Sequence, residues 1–396
     1  MFGGEPAGSL APAGNPRELY YKIRSKSMGK RELLLIAAFL VAGAIVYQVT
    51  APPPAAGERS FSPSQILEHI RRGIRGNRAS AEVTTRSKHP IEAGVTELRL
   101  ALRSGDVTIT GEDRTDIDAE FRVHSTGYDD AEAQRLATES ALSIDRAGSR
   151  LILKTSYPEA GIQRGTVVLK VPSSLTVSLD GGNGELVIAR VASIDLGNAR
   201  GQAELRDISG RVSGNFRGGE LHVTNAGSLK LTTIGVDLQL ERIRGDATLN
   251  TRGGEIKGSE LAGPIDIDSS GTDIELAKLD KTTGILRINA VGGGVSVKGL
   301  RTEGRIDVRG ADVDVEIERA APLAIYSEGG DPIELTPPPG GYQLDAVASD
   351  GTISVPPGTL EVATSGQERR ATGPINGGGP TITIRSARGS ITVKQR

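Results

Sequence analysis

The chain of 396 residues contains no cysteine and no tryptophan, and aromatic residues make up only 3% of it. Without cysteine, the chain can form neither a disulfide framework nor a lipid-modified cysteine. Few aromatic rings leave little surface for a globular binding cleft or for stacking against sugars, because both usually depend on such rings. The core must therefore be built from Val, Ile, Leu and Ala.

A strong net charge and known catalytic motifs are also lacking. The formal net charge is −2, so the chain has no general electrostatic attraction for nucleic acid. The sequence has no Gly-x-Ser-x-Gly elbow, no phosphate-binding loop and no His-Glu-x-x-His. Four scattered histidines show no zinc-ligand spacing: His69, His89, His124 and His222. We therefore predict a protein that is not an enzyme, with no catalytic residue, cofactor, metal or nucleic-acid partner.

Glycine, in contrast, is abundant, with 52 residues, and it recurs with a period. From about residue 175 onwards, short runs of alternating apolar residues are separated by glycine turns, spaced 16 to 22 residues apart between Gly182 and Gly351. Such a period is typical of repeat proteins, in which each unit buries its apolar face against its neighbours. The alternation of Ile265 and Ile267 with Asp266 and Asp268 is that of half-buried strands. The sequence predicts an all-β solenoid.

Residues 33–51 form an uncharged stretch, LLLIAAFLVAGAIVYQVTA, that is long enough to cross the ~30 Å hydrocarbon layer as one helix. After Ala51, Arg59 is the only basic residue before His69 and Arg71, which predicts a cytoplasmic N-terminus. The basic residues before the span are Arg17, Lys22, Arg24, Lys26, Lys30 and Arg31. A cleavable signal peptide is the alternative, but the preceding tail is long and Pro52 directly follows the only suitable cleavage site. We predict a single-pass protein of the bacterial inner (cytoplasmic) membrane whose partner is the lipid bilayer and whose C-terminal domain is periplasmic or extracellular.

Composition divides the chain into six segments. Within the strand-rich part, one inserted helix is predicted from the helical spacing of Ala133, Leu136, Ala137 and Ala141. The segments are a partly disordered cytoplasmic tail (1–32), the transmembrane helix (33–51), a Pro-rich linker (52–60), a juxtamembrane helix and linker (61–94), an N-terminal solenoid portion with an inserted helix over 129–142 (95–172), and the regular solenoid (173–396).

The run from Leu98 to Val123, with its Ser-Gly-Asp-Val-Thr-Ile-Thr-Gly core, and the closing run Gly379 to Val393 are strand-and-turn signatures. Over about residues 95–396 the sequence resembles the bacterial adhesin-like domains of unknown function, a membrane-anchored, toast-rack-like β-helix family. The resemblance implies a right-handed β-helix outside the cytoplasm and supplies no catalytic residue. The turns depart from the family pattern, since many read Gly-Glu, Gly-Arg or Gly-Thr instead of Gly-Asp.

The weak site candidates are four carboxylates that alternate along one predicted strand: Asp312, Asp314, Glu316 and Glu318. Oxygen-rich clusters can hold calcium, but neighbours on one strand face are about 7 Å apart, so a solvated face is the favoured interpretation. Two further motifs, the glycine-rich 181–186 and Arg244-Gly-Asp246, are interpreted as a structural turn and as a chance match to a cell-attachment tripeptide.

These features predict a non-catalytic, adhesin-like surface that binds or scaffolds an envelope polysaccharide or protein. Two alternatives stay open. The chain could sense envelope stress and signal through its short basic cytoplasmic tail, or it could be a carbohydrate-processing β-helix enzyme. The final strand, ending Ile391-Thr-Val393, is expected to be an exposed edge that allows end-to-end homo-association.

Overall fold

A computed structural model describes residues 79–102 and 105–396, together with Gly43. Apart from Gly43, the predicted cytoplasmic tail, membrane span, Pro-rich linker and juxtamembrane helix lie outside the described residues. Within the part that is described, no helix has both the length and the apolar character needed to cross a bilayer.

The described chain is almost entirely β-strand. Its first strands are β1 (Ala79–Pro90), β2 (Glu97–Ala101), β3 (Gly105–Glu112), β4 (Asp116–Gly127), β5 (Ala141–Ala147), β6 (Arg150–Ser156), β7 (Ile162–Pro172), β8 (Thr176–Leu179), β9 (Gly182–Ala189), β10 (Ser193–Ile243), β11 (Ala247–Leu261), β12 (Ile265–Ser270) and β13 (Asp273–Ala277). The strands that follow are β14 (Leu286–Val291), β15 (Val295–Leu300), β16 (Gly304–Arg309), β17 (Val313–Ile317), β18 (Leu323–Glu328), β19 (Ile333–Thr336), β20 (Tyr342–Ala348), β21 (Ile353–Ser354), β22 (Ala363–Ser365), β23 (Glu368–Ile375), β24 (Thr381–Ser386) and β25 (Ile391–Val393). Helix α1 spans Asp130–Glu139, and a short 3-10 helix spans Leu279–Lys281.

Most strands pair in parallel with the strand one rung away, and these pairings form two sheets. In the first sheet, β11 pairs with β12, followed by β14, β16 and β18. In the second sheet, β11 pairs with β13, followed by β15, β17 and β19. The long strands β10 and β11 contribute to both sheets. Partners are 17 residues apart in Ala199↔Gly182 and 21 apart in Ile265↔Leu286, so one rung takes about twenty residues.

The core lies between the two sheets. On β12, Ile265 and Ile267 are at most 1% exposed, and on β13 Ile274 and Leu276 are at most 2% exposed. These residues belong to one continuous apolar cluster that runs from Leu98 to Val393, in which nearly every member is aliphatic. The predicted all-β solenoid is therefore confirmed, and the alternating residues face inwards as expected. The handedness of the coil stays a prediction.

Single left-handed residues turn the chain after successive second-sheet strands. Their φ angles lie between 52° and 59°, in the region that L-residues other than glycine rarely adopt. They follow one another at 17 or 18 residues along the chain: Arg190, Asp207, Asn225, Arg242, Glu260 and Lys278. Gly299 occupies the next corner, with φ 80°. The corner geometry thus repeats with the rung while the residue type varies.

The C-terminal strands are inserted into the stack rather than added to its end. β24 lies between β18 and β20, and β25 lies between β19 and β21. The prediction that Ile391–Val393 is an exposed edge is therefore wrong, because this strand has a parallel neighbour on both sides. The same arrangement occurs at the other end of the stack. There β2 lies between β6 and β8, and β3 lies between β7 and β9.

Antiparallel strands close both ends of the stack. At the N-terminal end β4 pairs with β7, β1 with β4, and β5 with β6; at the C-terminal end β23 pairs with β20 and β22 with β23. The structure differs here from two sequence-based boundaries. Strand β1 lies inside the segment 61–94 that was expected to be helix and linker. Helix α1 ends at Glu139 rather than at 142, because the chain continues directly into β5.

Candidate functional site

The four carboxylates predicted from the sequence lie on the outer side of β17 and just beyond its ends. Val313, Val315 and Ile317 are buried, so Asp314 and Glu316 point outwards between them. Asp312 and Glu318 continue this alternation before and after the strand. The structure therefore places the four side chains in one row along the outer surface of the second sheet.

Basic residues from elsewhere in the chain pair with three of these carboxylates. The Nζ atom of Lys394 lies 2.7 Å from Glu334 and 3.9 Å from Asp314, and its hydrogen bond with Glu334 is the main cause of its raised pKa. An Arg301 nitrogen lies 3.1 Å from Glu318. These contacts are those of a surface ion-pair network. Among the described residues, no group of three or more His, Cys, Asp or Glu side chains is arranged to hold a metal ion.

The C-terminal residue, Arg396, completes this network. A nitrogen of its guanidinium lies 3.8 Å from the Glu316 carboxylate. The same side chain donates hydrogen bonds to the carbonyl oxygens of Ile317 (2.6 Å) and Pro337 (3.0 Å). The last residues of the chain therefore fix the end of β17 as well as neutralising part of its charge.

The carboxylates of β17 belong to a larger surface, which we call the acidic face: the outward residues of the second sheet from β9 to β17. Strand register joins them across rungs, as in Asp237↔Glu255↔Asp273. Its carboxylates are Glu185, Glu204, Glu220, Asp237, Glu241, Glu255, Asp273, Glu275, Asp312, Asp314, Glu316 and Glu318, and its Lys and Arg residues are Arg200, Arg206, Lys257 and Lys298. Negative side chains thus greatly outnumber positive ones on a chain whose net charge is only −2.

Two shallow depressions on the acidic face meet at His222. One, of about 330 Å³, is lined by residues that include Gln239, Lys257 and Glu275; the other, of about 240 Å³, is lined by residues that include Glu220. The Nε2 atom of His222 lies 2.7 Å from the Glu220 carboxylate, to which the Gln239 amide also donates at 3.3 Å. Carboxylates and amides of this kind accept hydrogen bonds from amino and hydroxyl groups.

The depression lined by Lys257 was not found from the sequence, although a signal exists. Glu220, Asp237, Glu255 and Asp273 are spaced 17 or 18 residues apart, which is one rung. Counting charges at that period would have brought them onto one surface. Lys257 lies two residues after Glu255 on the outer side of β11, and its contact with that carboxylate at 2.7 Å is the main cause of its raised pKa.

The other two sequence motifs have structural roles. The guanidinium of Arg244 donates hydrogen bonds to Asn225 at 2.8 Å and to the carbonyl oxygens of Ile208 and Ser209 at 3.1 and 3.2 Å, so it is held along the corner of the coil. In the glycine-rich segment, a Cβ added at Gly184 would lie 2.2 Å from a backbone oxygen of the adjacent rung. Close stacking of the backbone therefore requires glycine there.

Comparison with known proteins gives one family. The profile of the Toastrack DUF4097 family matches residues 95–394. No curated protein matches the chain.

The chain is similar to several solved structures at low identity. One, provisionally named an adhesin, from Parabacteroides distasonis, is 12% identical over 64% of this chain and 97% of its own, with a TM-score of 0.37. Another of that name, from Parabacteroides merdae, is 11% identical over 64% and 96%, with a TM-score of 0.38. A provisionally named cell adhesion protein from Clostridium sporogenes is 10% identical over 79% and 100%, with a TM-score of 0.19.

Proposed function

Because the chain belongs to the Toastrack DUF4097 family, we propose that it is a non-catalytic, adhesin-like scaffold, anchored in the bacterial inner membrane by residues 33–51 and displayed outside the cytoplasm. The observation that carries this proposal is the acidic face, a polar surface built on one uninterrupted aliphatic core.

The core makes the acidic face rigid. In the interior of the stack, each strand has a parallel neighbour on both sides, and its inward side chains contact those of the adjacent rungs. Stability in such a stack comes from the contacts between neighbouring rungs. Outward side chains therefore keep a fixed spacing, about 4.8 Å from rung to rung. A partner with regularly spaced groups can bind such a surface without reorganising it.

The charge of the acidic face indicates the partner's chemistry. Carboxylates outnumber Lys and Arg on this face, and a surface of one sign attracts and orients partners of the opposite sign. We propose that the partner is an envelope polysaccharide or protein that carries amino groups. The depressions around His222 supply hydrogen-bond acceptors for those groups.

Charge reversal on one face tests the binding proposal. The full-length chain, extracted in mild detergent, is passed over chitosan, a polysaccharide with free amino groups, and over its acetylated form. We expect retention on chitosan only, and a several-fold loss of retention with Glu255→Lys and Glu275→Lys together. The matched control is Asp266→Lys with Asp268→Lys, on the outer side of the first sheet. Equal losses for the two double variants would contradict the proposal.

Protease accessibility tests the proposed location. In spheroplasts, an added protease should degrade the C-terminal domain while a tag at the N-terminus stays protected, because residues 1–32 are proposed to be cytoplasmic. Protection of the whole chain until the membrane is lysed would contradict the proposed topology.

A further inference from the structure

Strand β1 is the outermost strand at the N-terminal end of the stack. Among the described residues it pairs with β4 and with no other strand, over twelve residues from Ala79↔Gly127 to Pro90↔Asp116. An unpaired strand edge presents a row of backbone N–H and C=O groups that another strand can bind. Its outward side chains Glu82, Thr84, Arg86 and Lys88 are all exposed.

Charges alternate across β1 and β4 on this outer side. The Nε atom of Arg86 lies 3.0 Å from Glu120, and that of Arg122 lies 3.4 Å from Glu82. Glu82 and Arg86 lie two residues before and two residues after Thr84, and Lys88 lies further along the strand. Because the first two charges are opposite and symmetrically placed about Thr84, the edge is complementary to a second copy of itself in the antiparallel direction.

We propose that two copies of the chain pair antiparallel through β1, centred on Thr84. In this register Glu82 lies opposite the partner's Arg86, Arg86 lies opposite the partner's Glu82, and the two Thr84 side chains face each other. Opposite charges and Thr–Thr pairs directly across strands are favourable pairs. The four strands are then β4 and β1 of one copy followed by β1 and β4 of the other. Across them the charges alternate from Arg122 to Glu82, to the partner's Arg86 and to the partner's Glu120.

The other registers are less favourable. Moving the centre by one residue in either direction leaves Arg86 opposite Ser80 or Thr84, so both Glu82–Arg86 pairs and the direct Thr84–Thr84 pair are lost. When the centre moves to Thr85, Glu82 lies opposite the partner's Lys88 instead. Moving the centre by half a residue, to a point between two residues, places outward side chains opposite inward ones. Charged side chains and Pro90 also discourage pairing with unrelated edges. The register centred on Thr84 is the one that combines two opposite-charge pairs with a direct Thr–Thr pair.

The absence of cysteine makes a direct test available. Thr84→Cys places one thiol on the proposed two-fold axis, where opposed Cα atoms are ~4.5–5.5 Å apart, within reach of a disulfide. Mild oxidation of the full-length variant in detergent should give a disulfide-linked dimer. Thr248→Cys, an exposed threonine on the first sheet, is the matched control. If Thr84→Cys cross-links no faster than Thr248→Cys, the proposal is wrong.

A charge exchange in the Thr84→Cys background distinguishes specific pairing from chance collision. Glu82→Arg alone and Arg86→Glu alone each place like charges opposite each other twice, and we expect about tenfold less cross-linked dimer from either. A mixture of the two variants restores both opposite-charge pairs and should recover the dimer as a mixed species. Arg164→Glu, which breaks an exposed ion pair with Asp106 away from the edge, should have no effect. Absence of the mixed dimer would overturn the proposal.

Discussion

At six successive corners of the second sheet, from Arg190 to Lys278, one residue adopts a conformation that its Cβ atom opposes. Arg242 has φ 57° and is exposed. Arg242→Gly removes a conformational penalty of about 1–2 kcal/mol and adds about 0.5–1 kcal/mol of chain entropy to the unfolded state. We expect the free energy of unfolding in urea to rise by up to about 1 kcal/mol. Arg252→Gly, within extended β11, should instead lower it by about 0.5–1 kcal/mol. A change of the same sign in both variants would contradict this explanation of the corners.

Buried hydroxyl groups differ in whether they are hydrogen-bonded, and this predicts opposite effects of one substitution. The Thr233 hydroxyl is buried without a hydrogen-bond partner among the described residues, whereas that of Thr282 donates to the Leu261 carbonyl oxygen at 2.5 Å. Thr233→Val should be neutral or stabilising by up to about 1 kcal/mol, and Thr282→Val should cost about 1–3 kcal/mol. Thermal unfolding of both variants measures the difference. If Thr233→Val lowers the thermal stability as much as Thr282→Val does, the Thr233 hydroxyl has a hydrogen-bond partner and this explanation is wrong.

At this scale the sequence predicts inward residues better than corner residues. Alternation was sufficient to place Ile265 and Ile267 inside, because the period of a strand is fixed by its backbone. The left-handed residues could not be recognised, since Arg242 or Lys278 resembles any exposed residue when no glycine or asparagine marks the turn. Thr233 was missed because a threonine within an alternating run is compatible with either side.

Among the elements, the C-terminal closing strands depend on one charged cluster. Burial raises the pKa of Asp345, but hydrogen bonding and charge from Arg385, with smaller contributions from Thr372 and Arg370, outweigh it, so the pKa lies below its usual value. These contacts join β20, β23 and β24. A pKa lowered by folding means that the stabilisation is present above the pKa of the unfolded state, near ~4, and is lost as the pH falls through the folded-state pKa.

Asp345→Asn should therefore destabilise the C-terminal end at pH 7 by about 1 kcal/mol and reduce the loss of stability on acidification. Hydrogen exchange of β20 and β24 amides, measured at pH 7 and near pH 3, follows this end of the stack. Asp266→Asn, on the same sheet surface but without an ion pair among the described residues, is the control. An unchanged pH dependence in Asp345→Asn would show that the cluster does not stabilise this end.

The elements were predictable where they are local, but their order in the stack was not. The strands around 98–102 and 106–111 and the helix within 129–142 follow from short-range patterns. Nothing in Ile391–Val393 indicates that this strand inserts between β19 and β21, because its pairing depends on strands more than thirty residues away. Strand β1 was missed because its charged, small residues lack a clear apolar alternation.

In the whole molecule, the rung determines where charge accumulates. The net charge of −2 gave no indication of a partner, yet stacking at 17 to 21 residues collects carboxylates from many rungs on the acidic face. The candidate site was thus only partly predictable. Asp312 to Glu318 were visible as a run along one strand, whereas Glu220, Glu255 and Asp273 come together only once the register is known.

The stacking register is the feature on which the core, the acidic face and the proposed pairing edge all depend, and paired cysteines in the cysteine-free chain measure it directly. Asn250 lies opposite Asp268, and Asp268 lies opposite Asn289, whose amide donates to the Asp268 carboxylate at 2.8 Å. In the full-length chain, Asn250→Cys with Asp268→Cys, and Asp268→Cys with Asn289→Cys, should each form an intramolecular disulfide detectable by peptide mass spectrometry. Asn250→Cys with Asn289→Cys, two rungs and about 9–10 Å apart, should not. Disulfide formation in that last pair but not in the first two would contradict the solenoid.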